Sequence, residues 1–193
     1  MPASTQIDSR GETQLSFRFV TDPPRQGSAG FRLSRSLWEH PSRPRILRMV
    51  RVAMAYFPEL RGISLRVGLA RGAHGYASLE EPAIWLNPRR LSYQTIAHEL
   101  VHLLQGLGQV PRGERSCDLY SLARDTMLVD AAPVYLTIPE AMVTSEGGLR
   151  SGVPRLLFET AREAIWQRGG GRRQYIRWFE ERIAEGRADE EGE

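Results

Sequence analysis

Two histidines four residues apart, with a glutamate after the first, are the residues of this chain best equipped for chemistry: His98-Glu99-Leu100-Val101-His102. On a helix, positions i and i+4 share a face, so both imidazoles can reach one metal ion. Glu99 is turned about one residue away from His98 and can stand beside the metal's open position. Zn²⁺ lowers the pKa of a bound water towards about 7, and a carboxylate can take its proton during attack on a carbonyl. Ile96, Leu100, Val101, Leu103 and Leu104 are apolar and bury the helix, so polar side chains within it need partners. The competing reading, two hydrogen-bonded core histidines, leaves Glu99 without a role and at a high burial cost.

A catalytic zinc takes three protein ligands and keeps one position open. No histidine follows His102, which leaves acids as the candidates. Glu114 and Asp118 lie four apart at the start of the next expected helix and face one way. The loop before them is short enough to fold that helix back antiparallel. This assigns Glu114 as third ligand, with Asp118 accepting the free N–H of a ligating histidine and fixing its tautomer. Two alternatives stay open. Asp118 could be the ligand, or Glu114 could be only an acid favoured by the helix dipole. Cys117 is either a soft ligand or a buried structural thiol.

Positioning these residues needs an active-site helix over residues 93–104, capped by Ser92 and with Gly106 beyond its end. Upstream, residues 45–57 have the apolar content of a mostly buried helix, stopped by Pro58 and Gly62. Residues 63–68 alternate as a half-buried strand does, and residues 83–87 read as another strand ended by Pro88. A glycine-bearing turn at residues 71–75 leads into residues 76–79. Downstream, helices are expected over residues 114–127, 153–166 and 172–184, the last two split by Gly169-Gly170-Gly171. Residues 128–150 read as irregular, briefly extended at 134–138. A short strand at residues 15–20 follows a loose tail of residues 1–14. The expected organisation is α+β. One domain spans residues 15–187, with an upper part at 15–106 and a helical lower part at 107–187, and an acidic tail follows at 188–193.

Composition bounds the function. The 193 residues fit one domain, and 41% are hydrophobic, enough for a core. No run is long and apolar enough for a membrane helix, and the N-terminus lacks a signal-peptide core, so a cytoplasmic protein with no membrane partner is expected. A single cysteine excludes an internal disulfide. All 26 basic side chains are Arg, and residues 1–73 hold 12 of them against 5 acids. That imbalance suits either a solvated surface or a nucleic-acid partner bound through the Arg-rich N-terminal half. His74 in its turn could line a cleft or simply be exposed; His40 is given no role.

The motif His98-Glu-Leu-Val-His102 followed by Glu114-Arg-Ser-Cys-Asp118 resembles the H-E-x-x-H plus E-x-x-x-D signature of gluzincin metallopeptidases. The short spacing is similar to that of minigluzincins. The order helix, strand, strand, Ala-Ile-Trp-Leu-Asn-Pro, active-site helix resembles SprT-like proteases. The likeness covers about residues 44–126. It departs from SprT-like proteins in lacking a later histidine, and from metzincins in having Gln105 and Gly108 where a glycine and a third histidine would fall. The resemblance implies a zincin-like fold and a zinc metallopeptidase. It also implies that Ala83, Ile84 and Trp85 form the edge strand along which an extended peptide or protein substrate adds. Glu99 would move the proton from water to the leaving amine, with Tyr120, Tyr135, His74 or a nearby Arg steadying the oxyanion. A zinc-stabilised binding module and a DNA-associated protease are the alternative functions.

Overall fold

The computed structural model of the chain describes the backbone of residues 30–72, 75–78 and 80–190, and side chains as far as residue 186. The tail at residues 1–14, the strand expected at 15–20, His74 and residues 191–193 lie outside the described residues.

Four strands form one mixed sheet: β1 (Arg32–Leu33), β2 (Arg66–Leu69), β3 (Gly75–Ser78) and β4 (Ala83–Leu86). Their spatial order is β1-β2-β4-β3, with β1–β2 and β2–β4 parallel and β3–β4 an antiparallel hairpin. Six helices complete the described architecture, α1 (Arg35–Trp38), α2 (Arg43–Ala55), α3 (Tyr93–Gly106), α4 (Glu114–Leu122), α5 (Val153–Gly169) and α6 (Tyr175–Glu190). The protein is thus α+β, as the sequence pattern implies.

α2 buries Ile46, Met49, Val50, Ala53 and Met54, a stripe at i, i+3, i+4, i+7 and i+8, and turns its arginines outward. α3 has no solvated face of comparable width. Its residues from Gln94 to Gln105 are almost all buried, because it packs on α2, β3 and β4 and carries α4 on another side. Hence His98, Glu99 and Gln105 are held inside the protein by a helix that cannot slide or rotate without breaking the core.

Both ends of α3 are closed by side chains or turns. Ser92 Oγ accepts from Thr95 N–H at 3.0 Å, and the two carboxylate oxygens of Asp130 accept from Tyr93 and Gln94 N–H, each at 2.9 Å. The helix runs through Gly106, two residues beyond the expected end. The left-handed residue is Gly108 (φ 71°), where Gln109 N–H returns to Leu104 C=O at 2.9 Å and closes the helix. Gly113 (φ 111°) makes the second sharp bend, aiming α4 back along α3.

Other boundaries shift for identifiable reasons. α4 ends at Leu122 instead of continuing to residue 127, because Asp125 accepts from Met127 N–H and caps a separate 3-10 turn at Thr126–Leu128. α5 extends to Gly169, and α6 begins at Tyr175 after Gly171 reverses the chain with φ 95°. α6 also continues to Glu190, so residues 188–190 are helical.

Candidate metal centre

The i, i+4 spacing on α3 brings the His98 and His102 rings to 4.9 Å between centroids, edge to face. The Gly108–Gly113 reversal places Glu114, the first residue of α4, opposite both. A single carboxylate oxygen, Glu114 Oε2, lies 3.0 Å from His98 Nε2 and 3.2 Å from His102 Nε2. One turn further along α4, Asp118 (2% exposed) sets Oδ1 at 2.7 Å from His98 Nδ1. Its other oxygen accepts from the backbone N–H of Tyr135.

The ring protons follow from these partners. Asp118 can only accept, so His98 Nδ1 carries a hydrogen. His102 Nδ1 faces Gln105 Oε1 at 3.0 Å. The Gln105 amide cannot be flipped, because its nitrogen donates to the carbonyls of Pro111 at 2.6 Å and Gly113 at 3.0 Å. His102 Nδ1 therefore also carries a hydrogen. In the neutral rings both Nε2 lone pairs then point at a carboxylate oxygen, an arrangement of three acceptors that needs a cation or a proton at its centre. The proton is accessible. Burial lowers the His98 pKa, but the Asp118 hydrogen bond and charge, the Glu99 charge and the Glu114 hydrogen bond together raise it, and the net shift is upward.

The donor set also fits zinc. Two imidazole nitrogens and a carboxylate oxygen are its usual ligands where one position stays open, and bonds of about 2.0–2.1 Å around a tetrahedron separate ligand atoms by about 3.3 Å. The two separations from Oε2 are close to that. A second grouping overlaps it: ligand atoms of His98, His102 and Cys117 lie within 4.8 Å of one another, and these three could hold a metal ion. Cys117 Sγ, however, sits 3.2 Å from His102 Nδ1, the nitrogen already turned to Gln105, and not at the convergence of the Nε2 atoms. Burial raises the thiol pKa well above its ordinary value, with the Glu114, Asp118 and Glu99 charges adding to it. Glu114 and Cys117 are therefore both candidates for a third ligand, Glu114 on the Nε2 side of the two rings and Cys117 on the Nδ1 side of His102.

Glu99 is 4% exposed, and its Oε2 has no hydrogen-bond partner among the described residues. Burial raises its pKa to about 7; the His98 charge opposes this and Glu114 adds to it. A carboxyl near neutrality at physiological pH can both accept and return a proton. The start of β3 lies directly over it. A Cβ on Gly75 would fall 2.7 Å from Glu99 Oε1 and 3.0 Å from the Trp85 carbonyl, so any side chain there would force the carboxylate or the strand to shift. Beside Glu99 and His98 opens a cleft of about 600 Å³ whose walls include Arg89, Gln94, Thr95, Ala131 and Tyr135. The Tyr135 ring stacks on His98 with centroids 5.6 Å apart.

The structure thus gathers His98, Glu99, His102, Glu114 and Asp118 into one place. It does not bring Ala83, Ile84 and Trp85 to the cleft as an edge strand. β4 is an interior strand, hydrogen-bonded to β2 on one side and β3 on the other, and Ala83 and Ile84 are fully buried. Trp85 points to the opposite face of the sheet, stacked on Tyr76 at 4.7 Å and lying across Gly68. Among the described strands the sheet's edges are β1 and β3, and β3, which the hairpin folds outside β4, is the edge packed against α3. Tyr120 is also removed from the cleft: it is 2% exposed, with Arg168 donating to its hydroxyl at 3.5 Å. The His40 ring accepts from Ser42 N–H within its own turn, away from the site. Gln105 and Gly75 are the site residues that sequence reasoning missed. The available signal for Gln105 was a lone amide three residues after His102, at the end of an apolar helix. The chain matches no family model, no curated protein and no solved structure.

Proposed function

We propose that this protein is a zinc-dependent metallopeptidase of the gluzincin type, with His98, His102 and Glu114 as ligands and Glu99 as general base. The observation that carries the reading is the meeting of two Nε2 atoms on Glu114 Oε2, each ring having its Nδ1–H already bound elsewhere. A bound zinc supplies Lewis acidity, polarising a substrate carbonyl and acidifying water. The rest of the chemistry belongs to the chain. Glu99, buried and unpaired at Oε2, takes the proton of the attacking water and delivers it to the leaving amine. β3, paired on one side only among the described strands, offers its outer backbone edge to an extended peptide running past Gly75 towards Glu99. The hydroxyl-bearing ring of Tyr135 stands on the same side, against His98, and is the oxyanion donor best supported by position.

Metal content and hydrolysis of an unfolded protein substrate, measured on the same preparations, test this. Glu99→Gln should keep one zinc per chain and lose about 10²–10⁴-fold in rate. Glu114→Gln should lose zinc, and Cys117→Ser should keep it. Wild-type turnover by Glu99→Gln would sink the general-base role. Retention of zinc by Glu114→Gln with its loss in Cys117→Ser would move the third ligand to sulfur. A wild-type protein that binds zinc but cleaves nothing would leave a zinc-stabilised binding module.

A further inference from the structure

We propose that Gln105 is a positioning residue through which one amide controls two of the three metal ligands. The inference rests on reading the site as a metal centre. Gln105 stands three residues after His102, one helical turn away on the same side of α3, and is 6% exposed. Its oxygen and nitrogen do different work. Oε1, 3.0 Å from His102 Nδ1, holds the ring proton on Nδ1 and leaves the Nε2 lone pair facing Glu114. Nε2 donates to the carbonyls of Pro111 and Gly113, at 2.6 and 3.0 Å. Those carbonyls belong to the loop that ends in Glu114, and Gly113 is the residue whose positive φ aims α4. The loop has no other side-chain bond to α3 among those described. Gln105 therefore selects the tautomer of one ligand and fixes the approach of another, and it does so from a position that touches no substrate.

The two roles can be separated by substitution. Gln105→Leu removes both. Gln105→Glu keeps the acceptor for His102 Nδ1–H but has no donors for the loop carbonyls. Two readouts apply, the zinc dissociation constant by chelator competition and the His102 ring nitrogen shifts by ¹⁵N NMR. The parent should show protonated Nδ1 in the neutral ring of the metal-free protein. Gln105→Leu should show a mixture of tautomers and bind zinc about 10–100-fold more weakly, the cost usual for losing an outer partner of a ligating histidine. Gln105→Glu should keep the parent tautomer and lose less zinc affinity than Gln105→Leu. A merely structural glutamine would lower the melting temperature without moving the tautomer. Zinc affinity within twofold of the parent in Gln105→Leu, or an unchanged tautomer, overturns the inference while leaving the metal reading intact. Should Gln105→Leu fail to fold, Gln105→Glu decides: a tautomer shift there, or zinc affinity equal to the parent, overturns it. A parent that binds no zinc sinks both readings together.

Discussion

At the scale of single residues, the candidate site is a set of side chains whose alternatives have been removed. Each histidine has one nitrogen committed to an acceptor, and the remaining two nitrogens share one carboxylate oxygen. Glu99 is the exception, buried with an oxygen that has no partner among the described residues, and burial raises its pKa to about 7. Such a group is costly to the fold and has to be tolerated by its surroundings. Gly75 provides that tolerance by leaving out a side chain. Gly75→Ala places a methyl 2.7 Å from Glu99 Oε1 and 3.0 Å from a backbone oxygen, so the carboxylate or the edge strand must move. The expected result is a fall in hydrolysis of at least tenfold at unchanged zinc content, with about 1–3 kcal/mol of lost stability. Steady-state rates beside metal analysis check it. Full activity in Gly75→Ala would mean that Glu99 is not confined as its contacts indicate.

At the scale of elements, α3 is the part most fully written in the sequence. Its apolar positions, the Ser92 cap and the i, i+4 histidines are local features, and local features survive folding. α4 was legible at its start for the same reason, since Glu114 and Asp118 share a helix face. The hairpin was not. β3 has only four residues, Gly75-Tyr-Ala-Ser78, without a strong alternation, and whether it lies inside or outside β4 is a question of long-range pairing that no local pattern answers. The role of residues 128–150 was hidden for a similar reason. They look irregular, yet Asp130 reaches 36 and 37 positions back to cap α3, and Tyr135 N–H reaches Asp118. The Asp130 carboxylate satisfies two first-turn N–H groups and faces the positive end of the helix dipole. Asp130→Ala should therefore cost about 1–2 kcal/mol, a drop of several degrees in melting temperature for a chain of this size. Thermal unfolding followed by circular dichroism measures it. A change of under one degree would show that the segment holds its place without this cap.

At the scale of the whole molecule, the centre joins parts that the backbone connects only through a short turn. His98 and His102 belong to α3, which packs on α2 and the sheet; Glu114 and Asp118 belong to α4, which packs on α5 and α6. Other ties bridge the same layers. Arg124, buried beyond the end of α4, donates to both oxygens of Glu59 at 2.8 and 3.1 Å, and the Gln94 amide on α3 donates to Ser121 Oγ on α4 at 2.7 Å. A metal ion held by the proposed ligands would add a further clamp between the layers, and because those residues span the chain from His98 to Glu114, it would bind the folded arrangement better than the unfolded chain. Mass action then requires zinc to stabilise the fold by about 2.7 kcal/mol at a hundredfold excess over its dissociation constant. Metal-free protein, prepared with a chelator, should unfold several degrees below the zinc-loaded form, and the gap should widen with free zinc concentration. Glu99→Gln should keep that gap, because it removes a base and no ligand, whereas His102→Ala should abolish it. A melting temperature indifferent to zinc across a concentration range where metal analysis finds the site filled would mean that the ion binds folded and unfolded chains alike, and would overturn a site assembled from two helices.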